Sequence, residues 1–126
     1  MENKPEGSLK KLLIVEDEES NYELLKAMLR KMDMEIFWAQ NGIQAIELCQ
    51  VHAFSLILMD IKMPEMNGYD AIKIIRNRGI VTPIIAQTAY ARIEDEDISL
   101  KMGFDGYISK PIDRKKLFEL LADYFT

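Results

Sequence analysis

The sequence predicts an α/β fold in which a five-stranded parallel sheet is covered on both faces by five helices. Two observations predict it. Short apolar runs alternate with amphipathic stretches along most of the chain. Three of those runs lack polar alternation, as parallel strands buried on both faces do. A length of 126 residues suits one domain and allows it to bury roughly two-thirds of the surface its unfolded form exposes.

Residues 1–10 (MENKPEGSLK) carry Pro5, Gly7 and Ser8 among charges and read as a flexible lead-in to one domain over 11–126. Residues 12–15 form the first strand candidate. Leu25, Met28, Leu29 and Met32 then recur at i, i+3, i+4 and i+7, one face of a helix. The run 35–39 (EIFWA) is a second strand by its β-branched and aromatic content, with Trp38 expected in the core. Asn41 and Gly42 open a second helix, whose Ala45, Ile46 and Cys49 share a face. Residues 56–59 are a third strand, and Ile72 and Ile75 anchor a third helix beginning after Gly68. The fourth strand, 83–86, carries Pro83 at its first position, where no ladder bond is lost. Residues 91–102 are a weak helix. Their acidic run 94–97 suits a helix N-terminus, but Ile93, Ile98, Leu100 and Met102 make no clean stripe. A fifth strand, 106–108, and a last helix with Leu117, Leu120, Leu121 and Tyr124 on one side complete the pattern.

The composition, 48% hydrophobic and 29% charged with a formal net charge of −5, is that of an ordinary globular protein. An acidic surface argues against direct nucleic-acid binding, which needs clustered Lys and Arg. Cys49 is the sole cysteine, so no internal disulfide forms. No apolar stretch approaches the roughly 20 residues of a membrane span, and no signal peptide opens the chain. A cytoplasmic location without direct membrane contact is therefore expected.

In a sheet of this kind ligands bind beyond the carboxyl ends of the strands. Glu16 and Asp17 follow the first strand, Asp60 the third, Thr88 the fourth and Lys110 the fifth. Each alone has a plain structural use: Asp17 or Ser20 as a helix cap, Thr88 as a turn residue, Lys110 as a solvated charge. Together they place three carboxylates, a hydroxyl and an ammonium in one crevice. Carboxylates about 4 Å apart repel by roughly 4 kcal/mol at an effective dielectric of 20. A hard divalent ion such as Mg²⁺ relieves that repulsion. Asp60 can then attack phosphorus as a nucleophile, with Lys110 and the Thr88 hydroxyl on the phosphoryl oxygens.

The segments LLIVEDEESN, LILMDIKMPEMNGYDA, PIIAQTAYA and GFDGYISKPI resemble, in order and spacing, the four motif blocks of response-regulator receiver domains. The resemblance covers residues 11–125. It implies the flavodoxin-like strand order 2-1-3-4-5 and a phosphoacceptor role for Asp60, which would take its phosphoryl group from a partner's histidine. Asp17 and Asp60 match direct ligands of Mg²⁺ (or Mn²⁺), Glu16 matches a position acting through water, and Lys62 would offer its backbone carbonyl. Thr88 and Tyr107 match a switch pair, Lys110 the lysine that pairs with the phosphoryl group, and Pro111 would follow a cis peptide. Lys62 and Tyr90 occupy positions that tune phosphoryl lifetime, and a basic and an aromatic residue there imply slow self-dephosphorylation. Gln87 departs from the pattern, an amide standing where relatives carry an apolar residue. His52 is expected on a surface loop.

Other readings fit less well. A haloacid dehalogenase phosphatase would need an acid at position 62, which is Lys62. A nucleotide switch would need a phosphate loop, which is absent. A receiver-like module that binds partners without phosphorylation remains the alternative. The resemblance implies a histidine kinase or histidine phosphotransfer protein as partner, with self-phosphorylation from small phosphodonors. A homodimer through the face of the fourth and fifth helices is a further expectation. No effector domain follows, so the output is expected to lie elsewhere. The lead-in and the ESNYELLKAML and IIAQTAYA wording resemble receivers of hybrid histidine kinases more than free-standing regulators.

Overall fold

The computed structural model describes residues 10–88 and 101–124. In chain order these form β1 (Lys10–Val15), α1 (Glu19–Met28), β2 (Met34–Ala39), α2 (Gly42–Val51), β3 (Leu56–Asp60), α3 (Gly68–Asn77), β4 (Ile84–Thr88), β5 (Gly106–Ser109) and α4 (Arg114–Tyr124). All pairings are parallel and the strand order is 2-1-3-4-5, as expected. The helix expected over 91–102 lies outside the described residues except for its last two. The described helices therefore number four rather than five. Lys10, assigned to the lead-in from sequence, is the first residue of β1; the remainder of the lead-in lies outside the described residues.

Side chains of successive strand residues point to opposite faces, and the core divides accordingly. Leu13, Val15, Ile57, Met59, Ile84 and Ala86 pack beneath α2 and α3, where Ala45, Ile46, Ile72 and Ile75 meet them. Leu12, Ile14, Leu56, Leu58 and Ile85 pack on the other face against Tyr22, Leu25, Leu117 and Leu121 of α1 and α4. β1, β3 and β4 are buried almost throughout, while β2 and β5 at the edges are only half-buried.

Several boundaries differ from expectation. α1 stops at Met28; Leu29 closes it as a fully buried cap, and Met32 lies beyond the helix. β4 begins at Ile84 and ends two residues beyond the apolar pattern, because Gln87 and Thr88 still pair with Ile108 and Ser109. α2 and α3 are capped by Asn41 and Asn67, whose side chains accept from Gln44 N and Asp70 N at 2.9 Å each. α1 has no such cap: Glu18 holds that place without a side-chain bond to the helix backbone, Ser20 is already inside the helix, and Asp17 is not used.

Candidate functional site

The sheet brings Glu16, Asp17, Asp60, Thr88 and Lys110 to one end, each at or just beyond the carboxyl end of its strand. One carboxylate oxygen from each of Glu16, Asp17 and Asp60 lies within 4.8 Å of the others. Glu16 and Asp60 are buried, and Asp17 is exposed at the rim. Lys110 stands between the two buried acids, its Nζ 2.9 Å from Glu16 Oε2 and 2.8 Å from Asp60 Oδ2.

The local backbone fixes these side chains. Glu16 N donates to Ala39 O at 2.9 Å, continuing the β1–β2 ladder one residue beyond β1. Trp38 Nε1 donates to Glu16 O at 2.8 Å, and its ring stacks on Tyr22 with centroids 4.4 Å apart and planes within 5°. Trp38 is thus a half-buried brace for the β1–α1 turn rather than the core residue expected. Asn21 Nδ2 reaches Glu16 Oε1 at 3.4 Å and Glu18 Oε2 at 3.0 Å. Sequence reasoning passed over Asn21, although its place in the first turn of α1 aims it back at the acidic pair. On the other side, the Lys62 amide donates to Asp60 Oδ1 at 3.1 Å; the Lys62 side chain is exposed. Lys110 N donates to Thr88 O at 2.7 Å, and the Lys110–Pro111 peptide is cis, as the resemblance implied.

Gly68 has a steric reason. A Cβ there would lie 2.7 Å from the Asp60 carbonyl oxygen. α3 can therefore begin close enough for Gly68 N to donate to Ile61 O at 2.8 Å only with glycine at this position.

Burial pushes the Glu16 carboxyl up from its ordinary value and the Asp60 charge adds to this, while the Lys110 hydrogen bond acts against them. For Lys110, burial works to lower the ammonium's pKa, but the hydrogen bonds to Asp60 and Glu16 outweigh it and the net shift is upward. Lys110 stays charged at neutral pH. With all three acids ionised, one ammonium leaves two negative charges uncompensated. A compact set of hard oxygen donors with excess negative charge is the donor chemistry that Mg²⁺ or Mn²⁺ accepts. Glu16, Asp17 and Asp60 could therefore hold such an ion.

Thr88 and Tyr107 share a sheet face: Tyr107 pairs with Ala86, two residues before Thr88, and both are half-buried. Gln87 points to the opposite face. It is fully buried, and neither its Nε2 nor its Oε1 meets a hydrogen-bond partner in the protein. Each such group costs about 1–3 kcal/mol. His52 caps the end of α2, half-buried between Phe37 and Phe54, with Lys11 Nζ 3.3 Å from its Nδ1. Tyr90 lies outside the described residues.

The response regulator receiver domain model matches residues 12–122. The chain belongs to this family. Its relatives include the autoinducer 2 sensor kinase/phosphatase LuxQ of Vibrio vulnificus, 40% identical over 125 residues, or 96% of this chain. The receiver spans 15% of that kinase's length. The polar-differentiation response regulator DivK of Brucella anthropi is 35% identical over 91% of this chain and 95% of its own length. Among solved structures, the receiver domain of sensor histidine kinase PA1611 from Pseudomonas aeruginosa superposes with a TM-score of 0.83. It is 34% identical, covers 93% of this chain and 98% of its own, and carries a magnesium ion coordinated in its active-site cleft. The chain is a receiver domain of two-component systems, a family of signalling phosphoacceptors rather than classical enzymes. Among the described residues, no helix is long and apolar enough to cross a membrane.

Proposed function

We propose that Asp60 of this receiver accepts a phosphoryl group from a phosphohistidine of a partner protein. The observation that carries this reading is the Lys110 ammonium bound within 3 Å of both Asp60 and Glu16, at a cluster of three acids. An Asp60 carboxylate oxygen attacks phosphorus, the P–N bond breaks, and the imidazole nitrogen keeps the electron pair. Lys110 exchanges its carboxylate contact for a phosphoryl oxygen, and the Thr88 hydroxyl donates to another. Asp17 and Asp60 would ligate Mg²⁺ directly, Glu16 through water, and Lys62 through its carbonyl. When bound, the ion would neutralise phosphoryl oxygens and offset the negative charge gathered by the three acids.

Thr88 and Tyr107, neighbours on one sheet face, are the proposed switch. Lys62 and Tyr90 would shield the phosphoryl group and slow its loss; a phospho-form lifetime of seconds would overturn that assignment. LuxQ and the PA1611 receiver support a place in a hybrid kinase, with this chain as its receiver. From there the phosphoryl group would pass to a histidine phosphotransfer partner, on the cytoplasmic side. A homodimer through α4 and the helix expected over 91–102 belongs to the same proposal.

The test is intact mass after incubation with Mg²⁺ and acetyl phosphate, beside Asp60→Asn. A single phosphoryl gain in the parent, absent from the variant and after chelation, is the expected result. No gain by a folded parent would leave a phosphorylation-independent binding module instead.

A further inference from the structure

The Gln87 amide is the one fully buried side chain among the described residues with both polar ends unpaired by protein. Native structures seldom leave such a group unmatched, and an apolar residue of the same size would fill the position without that cost. Its surroundings suggest why an amide is present. Ile85, two residues earlier, packs on the α1–α4 side of the sheet, so Gln87 faces α1 as well. There it lines a cavity of about 70 Å³ together with Asn21, Leu24 and Leu25 of α1 and the segment containing Lys110 and Ile112. That volume is enough for one or two waters, each of which needs two to four polar partners.

The partners are at hand. An ammonium has three donors, and Lys110 spends two of them on Glu16 Oε2 and Asp60 Oδ2. Gln87 supplies an acceptor and two donors, and Asn21 supplies an amide whose nitrogen already leans on Glu16 and Glu18. The half-exposed Leu24, with Leu25 and Ile112, supplies the rest of the wall as apolar surface, so water held there would find its hydrogen bonds in this small polar set.

We infer that this cavity is a water site through which the buried Gln87 positions the Lys110 ammonium. One water accepts the third Lys110 proton and donates to Gln87 Oε1; a second water accepts one of the Gln87 Nε2 protons. Gln87 then acts behind Lys110, as a positioning residue that never touches the phosphoryl group. It sets how readily Lys110 leaves its carboxylates for a phosphoryl oxygen. The rate consequence rests on the phosphoacceptor reading of Asp60, whereas the water site itself does not.

Two variants of the full chain separate the possibilities. Gln87→Met keeps the length without hydrogen-bonding capacity, and Gln87→Asn keeps the amide on a shorter stem. A high-resolution crystal structure of the parent should show ordered water within about 3.2 Å of both the Gln87 amide and Lys110 Nζ, lost in Gln87→Met. Acetyl phosphate should then label Asp60 roughly five- to tenfold more slowly in Gln87→Met. Gln87→Asn should stay within about twofold of the parent, with thermal unfolding unchanged in kind. A dry cavity in the parent overturns the inference, as does bridging water with equal labelling rates in parent and Gln87→Met. A parent that binds the bridging water but takes no phosphoryl group would count against Asp60 as acceptor and leave the water site standing.

Discussion

Glu16 and Asp17 are neighbours in sequence but differ physically. Glu16 is buried, holds Lys110 and receives the Glu18 amide at 3.3 Å, while Asp17 sits at the solvent edge. The Glu16 carboxyl titrates above its unfolded value because burial and the Asp60 charge outweigh the help from Lys110. A raised folded pKa gives stability that is complete below the unfolded pKa and is lost as pH climbs through the folded one. In chelator, stability should therefore decline with rising pH just above the ordinary carboxylate range. Urea titrations across that range should show a shallower decline for Glu16→Gln. Cys49 is the other shifted group with a clear consequence. Burial raises its thiol to about 11, with Arg76 acting slightly against this. Iodoacetamide at pH 8 should modify it on the order of a hundredfold more slowly than a free cysteine, accelerating roughly tenfold per pH unit. Mass spectrometry over time reads this directly.

Among the elements, the β3–α3 connection carries the strictest requirement. Gly68 opens α3 against the Asp60 carbonyl, so Gly68→Ala must push the helix away from the end of β3. The expected cost is about 1–3 kcal/mol of stability, measured by chemical denaturation, with slower acetyl phosphate labelling because Asp60 is displaced. The motif around Asp60 was legible in the sequence, yet this reason for its glycine was not, since no pattern of hydrophobicity reports how closely two backbones approach. The strands were legible because parallel burial leaves uninterrupted apolar runs such as Leu56–Asp60 up to its final residue. Their ends were less so: Thr88 reads as a turn residue from its polarity, but pairing with Ser109 draws it into β4. α1 shows the opposite failure. Its apolar period runs on to Met32, whereas the chain leaves the helix at Leu29 to start the return toward β2.

At the scale of the whole molecule, one topological fact gathers the site. A parallel sheet sends every strand's carboxyl end the same way, so residues as far apart in sequence as Glu16 and Lys110 meet at 2.9 Å. That convergence was readable from the order of strand-end residues alone. Two features were not: the pairing of Lys110 with both buried acids, and the reach of Trp38 from β2, at the sheet's edge, back to the Glu16 carbonyl. The second has a practical outcome. Trp38 is the only tryptophan in the chain, and its indole touches the acidic turn and the first turns of α1 at once. The receiver thus carries its own optical reporter. Titrating Mg²⁺ should change emission near the indole band along a saturable curve, and Asp17→Asn should flatten it. Acetyl phosphate should produce a second, slower change that Asp60→Asn lacks. An unresponsive emission in a protein that demonstrably binds the ion would mean that the turn holds its shape on loading. The β1–α1 loop would then be a rigid cradle, and the motion of signalling would have to begin on the other side of the sheet.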